Sequence, residues 1–535
     1  MKLLDDLGML EHDLGNEGAG LEIAAALELE EVPLGADDCT GIEALEQRRH
    51  EETVHRRPGL AFGEGALYSR PALVEERDVA IVGAGIAGLT AAAHLRELSP
   101  LVLEADDRVG GRILSKRRGD LALSVGAHMF PPPDSIVGRM VDDLGLEVLP
   151  ITGSMLNVYL RGKLIRDSRP ELLPLRLPLS LGGRISLARA GLRLKRDAER
   201  YMRLIERRPD DTDAAIRLRA LQHRGDETFA DFLGPLHPQA FEIFRAIANR
   251  SIAEPHELSQ SSMAALFGHV WDTGDLGRNM RGGSGRLPEA LAGSLGEAIR
   301  LRARVREVRL EGEAVRIRYD GDSGAGEVHA RVAILAVPAP LIPALIEDLP
   351  RETADALAHV TYGPMVVLSI LTNETEPMPW DDLYSILTPD KSFNMFFNHA
   401  NWLRSTAAAK QGSVLMVYAG ADRGRVLWEL NDETIRRRFL DDLHEIYPQV
   451  RGIIAETMVK KWQYAGPFAS PGRWRHQAVL ERGVDDRLFF AGDWLSEFVS
   501  METAARTGVE AAANARRALG TEPAPVGVLA RDSRS

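Results

Sequence analysis

The chain has 535 residues, more than one hydrophobic core organises, so two or three folding units are expected. Its single cysteine, Cys39, excludes an internal disulfide framework and any metal cluster built on several thiolates. The net charge of −13 sits mostly at one end: residues 1–50 hold thirteen Asp or Glu against three Lys or Arg, leaving −3 for the other 485, which argues against a basic nucleic-acid-binding surface.

No run of about 18 uncharged apolar residues marks a membrane span, and no apolar leader core opens the chain, so a cytoplasmic protein is expected. Residues 1–76 read as an acidic N-terminal extension. Within it Gly20 to Val32 is patterned as an amphipathic helix ending before Pro33, and Arg56 to Gly59 as linker. The extension is either an arm that docks on a partner protein or on this chain, or a partly ordered appendage; its composition favours the appendage.

From Asp78 the pattern changes to a buried strand (Val79 to Val82), a glycine turn, a helix (Leu89 to Leu98) and a second strand (Leu101 to Glu104). That is the opening of a βαβ unit. Strands follow over Ala298 to Leu310, Ala314 to Tyr319 and Val332 to Val337. Leu488 to Ala491 then leads through Gly492-Asp493-Trp494 into a helix from about Met501 to Leu519. The expected class is α/β, with a Rossmann-like nucleotide-binding domain assembled from the separated segments 77–129, 281–361 and 471–519. A mixed α+β substrate domain takes the helix-rich segment 130–280 and the segment 362–470, and 520–535 is a disordered tail.

Gly83-Ala84-Gly85-Ile86-Ala87-Gly88 fits G-x-G-x-x-G directly after a strand and at the start of a helix. Gly83 permits the tight turn, Gly85 lets backbone approach a diphosphate, and Gly88 lets helix and strand pack closely. A glycine pattern alone is as often a structural turn. Here Glu104 follows Gly85 by nineteen residues at the end of the second strand, where a carboxylate can accept hydrogen bonds from ribose hydroxyls, and that favours a dinucleotide.

Glu104-Ala105-Asp106-Asp107-Arg108-Val109-Gly110-Gly111-Arg112 adds a second glycine pair and an arginine suited to a charge-assisted diphosphate contact. The run resembles the E-x-x-x-x-x-G-G-R signature of the flavin amine oxidase superfamily, which includes amine oxidases, protoporphyrinogen oxidases and phytoene desaturases. The resemblance extends through Gly126-Ala127-His128-Met129, Gly282 to Leu287, Val305, Phe489 to Trp494 and Ser500-Met501-Glu502, about residues 78–519. It implies non-covalent FAD, held by Gly83, Ala84, Gly85, Ala87, Gly88, Glu104, Ala105, Gly110, Gly111, Arg112, Gly126, Ala127, His128, Gly492, Asp493 and Ser500. It further implies that Val305 meets the adenine edge through its backbone and that Met501 starts a helix whose N-terminal amides face the flavin.

The sequence departs from the amine oxidases at two pocket positions. Val367 stands where many of them carry a lysine near the flavin, and Ser500 stands where one aromatic ring of the amine cage would be. Trp462 retains the other ring, or is a buried structural tryptophan. Ser124 also replaces a common aspartate. The Ser124 change has no functional account. The missing lysine and ring, with Trp494 in Ala-Gly-Asp-Trp and its spacing to Ser500-Met501-Glu502, resemble the lysine-free desaturase-like members. They lean towards oxidation of a C–C or C–N bond in a largely apolar small molecule, with oxygen or a quinone taking the electrons. The alternatives are an amine oxidase with an altered cage and a flavoprotein acting without net redox as isomerase or scaffold. The basic stretch Arg184 to Arg219, preceded by the Leu- and Pro-rich Leu172 to Leu181, reads as solvated helices or as a peripheral membrane contact. Fourteen histidines without H-E-x-x-H spacing argue against a catalytic metal.

Overall fold

Val79, Ala80 and Ile81 are fully buried, as a central strand covered on both faces requires. The computed structural model describes residues 74–166, 169–271, 277–406, 411–496 and 498–521, all within one unit, Ser69–Ser535. The expected arm, its linker, Cys39 and the tail beyond 521 lie outside the described residues.

The first sheet centres on β1 (Val74–Val82), which leads into α1 (Ile86–His94) and then β2 (Leu101–Leu103). On its other side β1 runs parallel to β3 (Gly324–Leu335), and β3 is in turn parallel to β4 (Leu488–Phe490). The two-residue strand Ile299–Arg300 extends the parallel set beyond β2. Strands Arg304–Glu311 and Ala314–Gly321 form an antiparallel hairpin on the first half of β3, and β4 takes its last three residues. The sheet therefore joins residues separated by some four hundred positions. All four C-terminal strand ends, where such sheets bind nucleotides, fall on one edge.

Side chains alternate across β1. Val79 and Ile81 pack with Leu89 of α1 and with the alanines Ala505, Ala511, Ala512 and Ala515 of α2 (Met501–Leu519). Ala80 and Val82 face the opposite core with Ile317, Leu480 and Trp494. The alanine-rich sequence of α2 has high helix propensity and lets it lie close to α1. It starts at a capping box in which Ser500 and Thr503 bond each other's backbone amides, and it stops at Gly520 (φ 68°).

The second sheet has seven strands in the order Ile454–Phe468, Thr361–Thr372, Val414–Gly420, Met395–Asn398, Ser385–Leu387, Asn157–Leu160 and Lys163–Arg166. Val366, Leu368 and Ile370 point to one core with Trp380, Phe439 and Leu443. Val367 points to the other, shared with Val125, Phe397, Tyr418, Met365 and Trp462.

Local differences from the expected elements have local causes. The helix expected from Leu89 begins at Ile86, directly after Gly85, and breaks at Leu95 into a short 3-10 turn ending at Ser99 (φ 47°). The strand expected over Ala298 to Leu310 is split at Arg302 (φ 52°). Among the described residues four strands, Val148–Pro150, Asn157–Leu160, Lys163–Arg166 and Arg278–Met280, interrupt the helix-rich segment. The basic stretch forms helices Leu181–Ile205 and Asp213–Gln222, and the first buries Leu187, Ala190, Leu194, Ala198 and Tyr201 at helical spacing, so packing accounts for those apolar residues. Among the described residues no helix is long and apolar enough to cross a membrane.

α1 and α2 approach tightly at Gly508, where a Cβ would lie 2.3 Å from the carbonyl oxygen of Ala87. Gly508→Val should therefore force the helices apart at a cost of about 1–3 kcal/mol. Urea unfolding reads this directly, and an unchanged midpoint would mean that the contact is looser than described.

Candidate cofactor and substrate site

The three glycines of the first turn have separate tasks. Gly83 sits at φ 103°, and a Cβ there would lie 2.7 Å from the Ala336 carbonyl oxygen. At Gly88 a Cβ would fall 2.0 Å from the oxygen of Gly83, whereas at Gly85 it would meet nothing within 4 Å. Two positions are thus closed by protein and the middle one opens on free space. That space lies at the start of α1, whose N-cap residue Gly85 provides no side-chain cap. An uncapped helix N-terminus beside an opening suits a phosphate group.

Hydrogen bonds tie the expected nucleotide residues into one piece. The Glu104 carboxylate accepts from the amides of Ala84 (2.7 Å) and Asp106 (2.9 Å), and Gly110 donates to the Ala84 carbonyl (2.8 Å). Burial pushes the Glu104 carboxyl pKa up, and the two amides act against that rise. Ala105 is half-buried between these contacts, and Ala87 is buried in α1. Ala303 and Arg302 donate to the carbonyls of Glu104 and Asp106 at 2.7 and 2.9 Å, which brings the strand carrying Val305 alongside. Gly111 completes the turn, with its Cβ direction 3.6 Å from the Cα of Gly85.

Arg112 and Asp493 form an ion pair of 2.6 Å, and the second terminal nitrogen of Arg112 donates to the Ala465 carbonyl at 3.1 Å. The Asp493 carboxylate beside it pushes the guanidinium pKa further up, against the effect of burial. The backbone carbonyl of Arg112 accepts from Ala127 at 3.0 Å, and a Cβ on Gly126 would lie 2.0 Å from that oxygen. Gly492 donates to the Thr507 hydroxyl at 2.9 Å, which fixes the turn before Asp493 to α2.

Ser500, singled out from the sequence as a pocket residue, uses its hydroxyl to cap α2 through Thr503 at 3.1 Å, and Met501 is buried behind it. Glu502 does work that the sequence did not reveal. Its carboxylate accepts from the amides of Ile136 and Val137, both at 2.9 Å, and so caps the helix Ile136–Asp143.

The inner face of the second sheet is built from strand neighbours. Val367 pairs with Lys460 on one side and Tyr418 on the other, and Met365 pairs with Trp462. Trp462 donates from its indole to the Val125 carbonyl at 2.6 Å, next to Gly126, and the Lys460 ammonium lies 4.7 Å from the Trp462 ring centre. Lys461 turns to the opposite face, where its ammonium donates to the Trp428 carbonyl at 2.8 Å. Phe397 stacks on Tyr418 at 5.9 Å and meets the His128 ring edge-on at 5.2 Å, with His399 4.1 Å beyond. Burial pushes the His128 pKa down to about 4 and that of His399 well below its usual range, so both rings are neutral at pH 7. Lys460 was not picked out from the sequence. The period-2 alternation of its strand, anchored at Trp462, is the signal that would have found it.

A model of the flavin containing amine oxidoreductase family matches residues 86–516, and the chain belongs to this family. It is 24% identical over 478 residues to an L-amino-acid oxidase of Siganus canaliculatus, covering 83% of this chain and 86% of that one. It is 25% identical over 338 residues to protoporphyrinogen oxidase 1, chloroplastic, of Arabidopsis thaliana, covering 55% and 58%; this match therefore spans less than two thirds of the plant protein. The solved structure of cyclohexylamine oxidase from Brevibacterium oxydans IH-35A superposes with a TM-score of 0.66 at 20% identity, over 83% of this chain and 99% of that one. FAD is accordingly the cofactor that the open space at Gly85, the half-buried Glu104 and the Arg112–Asp493 pair have to fit. The fit is good in kind: amides and space for phosphate, a carboxylate for ribose.

Glu104→Gln should weaken FAD binding about tenfold to a hundredfold, since a charge-assisted hydrogen bond contributes about 1.5–3 kcal/mol. Titrating the apoprotein with FAD measures it. An unchanged Kd would remove Glu104 from the ribose.

Proposed function

We propose that this protein oxidises a largely apolar small molecule at a C–C or C–N bond, in the space between Gly126–His128 and the inner face of the second sheet. Bound FAD supplies the chemistry by accepting two electrons and a proton's worth of hydrogen as hydride. The chain's own part is to bind, orient and keep water away. Met365, Val367, Met458, Trp462, Tyr418 and Phe397 offer an apolar and aromatic wall. The start of α2 offers first-turn amides where a reduced flavin would gather negative charge.

One observation carries the preference for an uncharged substrate. Between Met458 and Trp462 the charge that the edge strand turns to this face is Lys460, with Val367 beside it. A cation at this place repels an ammonium group, which disfavours simple amines. Oxygen or a quinone then takes the electrons from the flavin.

Anaerobic mixing of the flavin-loaded protein with a panel of neutral polyenes, porphyrinogens and primary amines tests the reading. Loss of the oxidised flavin's visible absorption with a neutral compound, and none with simple amines, is the expected result. Admitting air or a quinone to the reduced protein then tells the acceptor. Rapid bleaching by alkylamines, followed by stoichiometric peroxide in air, would replace this reading with that of an amine oxidase whose cage is altered.

A further inference from the structure

Arg473 is 4% exposed, yet none of its nitrogens is in ion-pair contact with a carboxylate among the described residues. One terminal nitrogen donates to the Trp494 carbonyl at 3.1 Å, and the other is buried without any hydrogen-bond partner. Glu481, the acid within electrostatic reach, is already bonded to Arg217 (2.9 Å) and Gln477 (2.6 Å). Burial lowers the Arg473 pKa to about 10, which still leaves it charged at pH 7.

The side chain is held inward by its neighbours. Gly472 donates to the Gly225 carbonyl at 2.8 Å, and the flanking Trp474 and Arg475 both donate to Asp226, at 3.0 and 2.6 Å. With that turn fixed on the outside, Arg473 is directed to the residue after Asp493. Tyr362 links the two places: its buried hydroxyl is within electrostatic reach of Asp493 and Arg112 and also of Arg473. Arg217 already faces two carboxylates, Glu481 and Glu510, so the charges of the cluster balance, and what is left over is one buried guanidinium nitrogen of Arg473 without an acceptor.

A buried donor left without an acceptor is unfavourable, so this nitrogen points to an acceptor group that joins it. We propose that Arg473 binds the diphosphate of FAD, its unpartnered nitrogen donating to a phosphate oxygen. The inference rests on the reading that Gly85 and Asp493 surround that diphosphate. It adds a cofactor-binding residue from outside the glycine and acid motifs.

Arg473→Met and Arg473→Lys in the full chain provide the test, read as FAD affinity of the apoprotein and as urea midpoints of apoprotein and FAD-loaded protein. Arg473→Met should bind FAD at least about tenfold more weakly, the loss expected for a charge-assisted hydrogen bond. Its apoprotein should unfold at the same or higher urea than wild type, because the unpaired buried donor is gone. Arg473→Lys should fall between the two in affinity. An FAD affinity within about twofold of wild type for Arg473→Met, or an apoprotein that is destabilised or fails to fold, would overturn the proposal and make Arg473 structural. The Glu104→Gln protein separates the two levels. If it loses FAD affinity while the Arg473 variants do not, the diphosphate placement stands and only this inference falls; if neither loses affinity, the placement itself is wrong.

Discussion

The Arg112–Asp493 ion pair is the contact on which the rest of the arrangement depends. It joins positions 381 residues apart, one directly after the glycine pair and the other directly after the last strand of the first sheet. Asp493 is buried and Arg112 half-buried, and such a pair stabilises a fold only when its remaining hydrogen-bonding capacity is met. Here Ala465 supplies a carbonyl from the longest strand of the second sheet, so one guanidinium pins three distant segments together. The same residue's carbonyl receives Ala127 and closes against Gly126. Moving Arg112 would therefore disturb the turn at Asp493, the strand at Ala465 and the segment at Ala127 at once.

The two sheets divide the labour. The first presents backbone: an uncapped helix start, tight glycine turns and a carboxylate held by amides, all suited to a ligand recognised through phosphate and ribose. The second presents side chains, alternating so that each face feeds its own hydrophobic cluster, one of them with Met, Trp, Tyr and Phe beside Val367. Val125 stands where they meet, its carbonyl bonded to the Trp462 indole. Neutral His128 and His399 behind Phe397 keep that junction free of extra charge at pH 7.

Features with a local cause were legible in the sequence. The glycine turn, the following acid and the helix Met501–Leu519 depend on short-range spacing, and each is found where the pattern puts it. Contacts across long sequence separations were not legible. Glu502 reads as one more acid in a helix, and only the fold shows that it caps Ile136, 366 residues away. Which of Lys460 and Lys461 faces the pocket depends on the phase of a strand, and one position decides it. Arg473 lies in a basic run, R-W-R-H, whose composition alone suggests a solvated turn; Asp226 draws the flanking residues outward and leaves Arg473 inside.

The central claim is that this fold holds one FAD by non-covalent contacts. Acid precipitation of the purified protein tests it most directly, with flavin measured in both fractions. The account predicts one FAD per chain, all of it in the supernatant. Protein that carries no flavin and binds none when FAD is added, or flavin that stays with the precipitate, would contradict it.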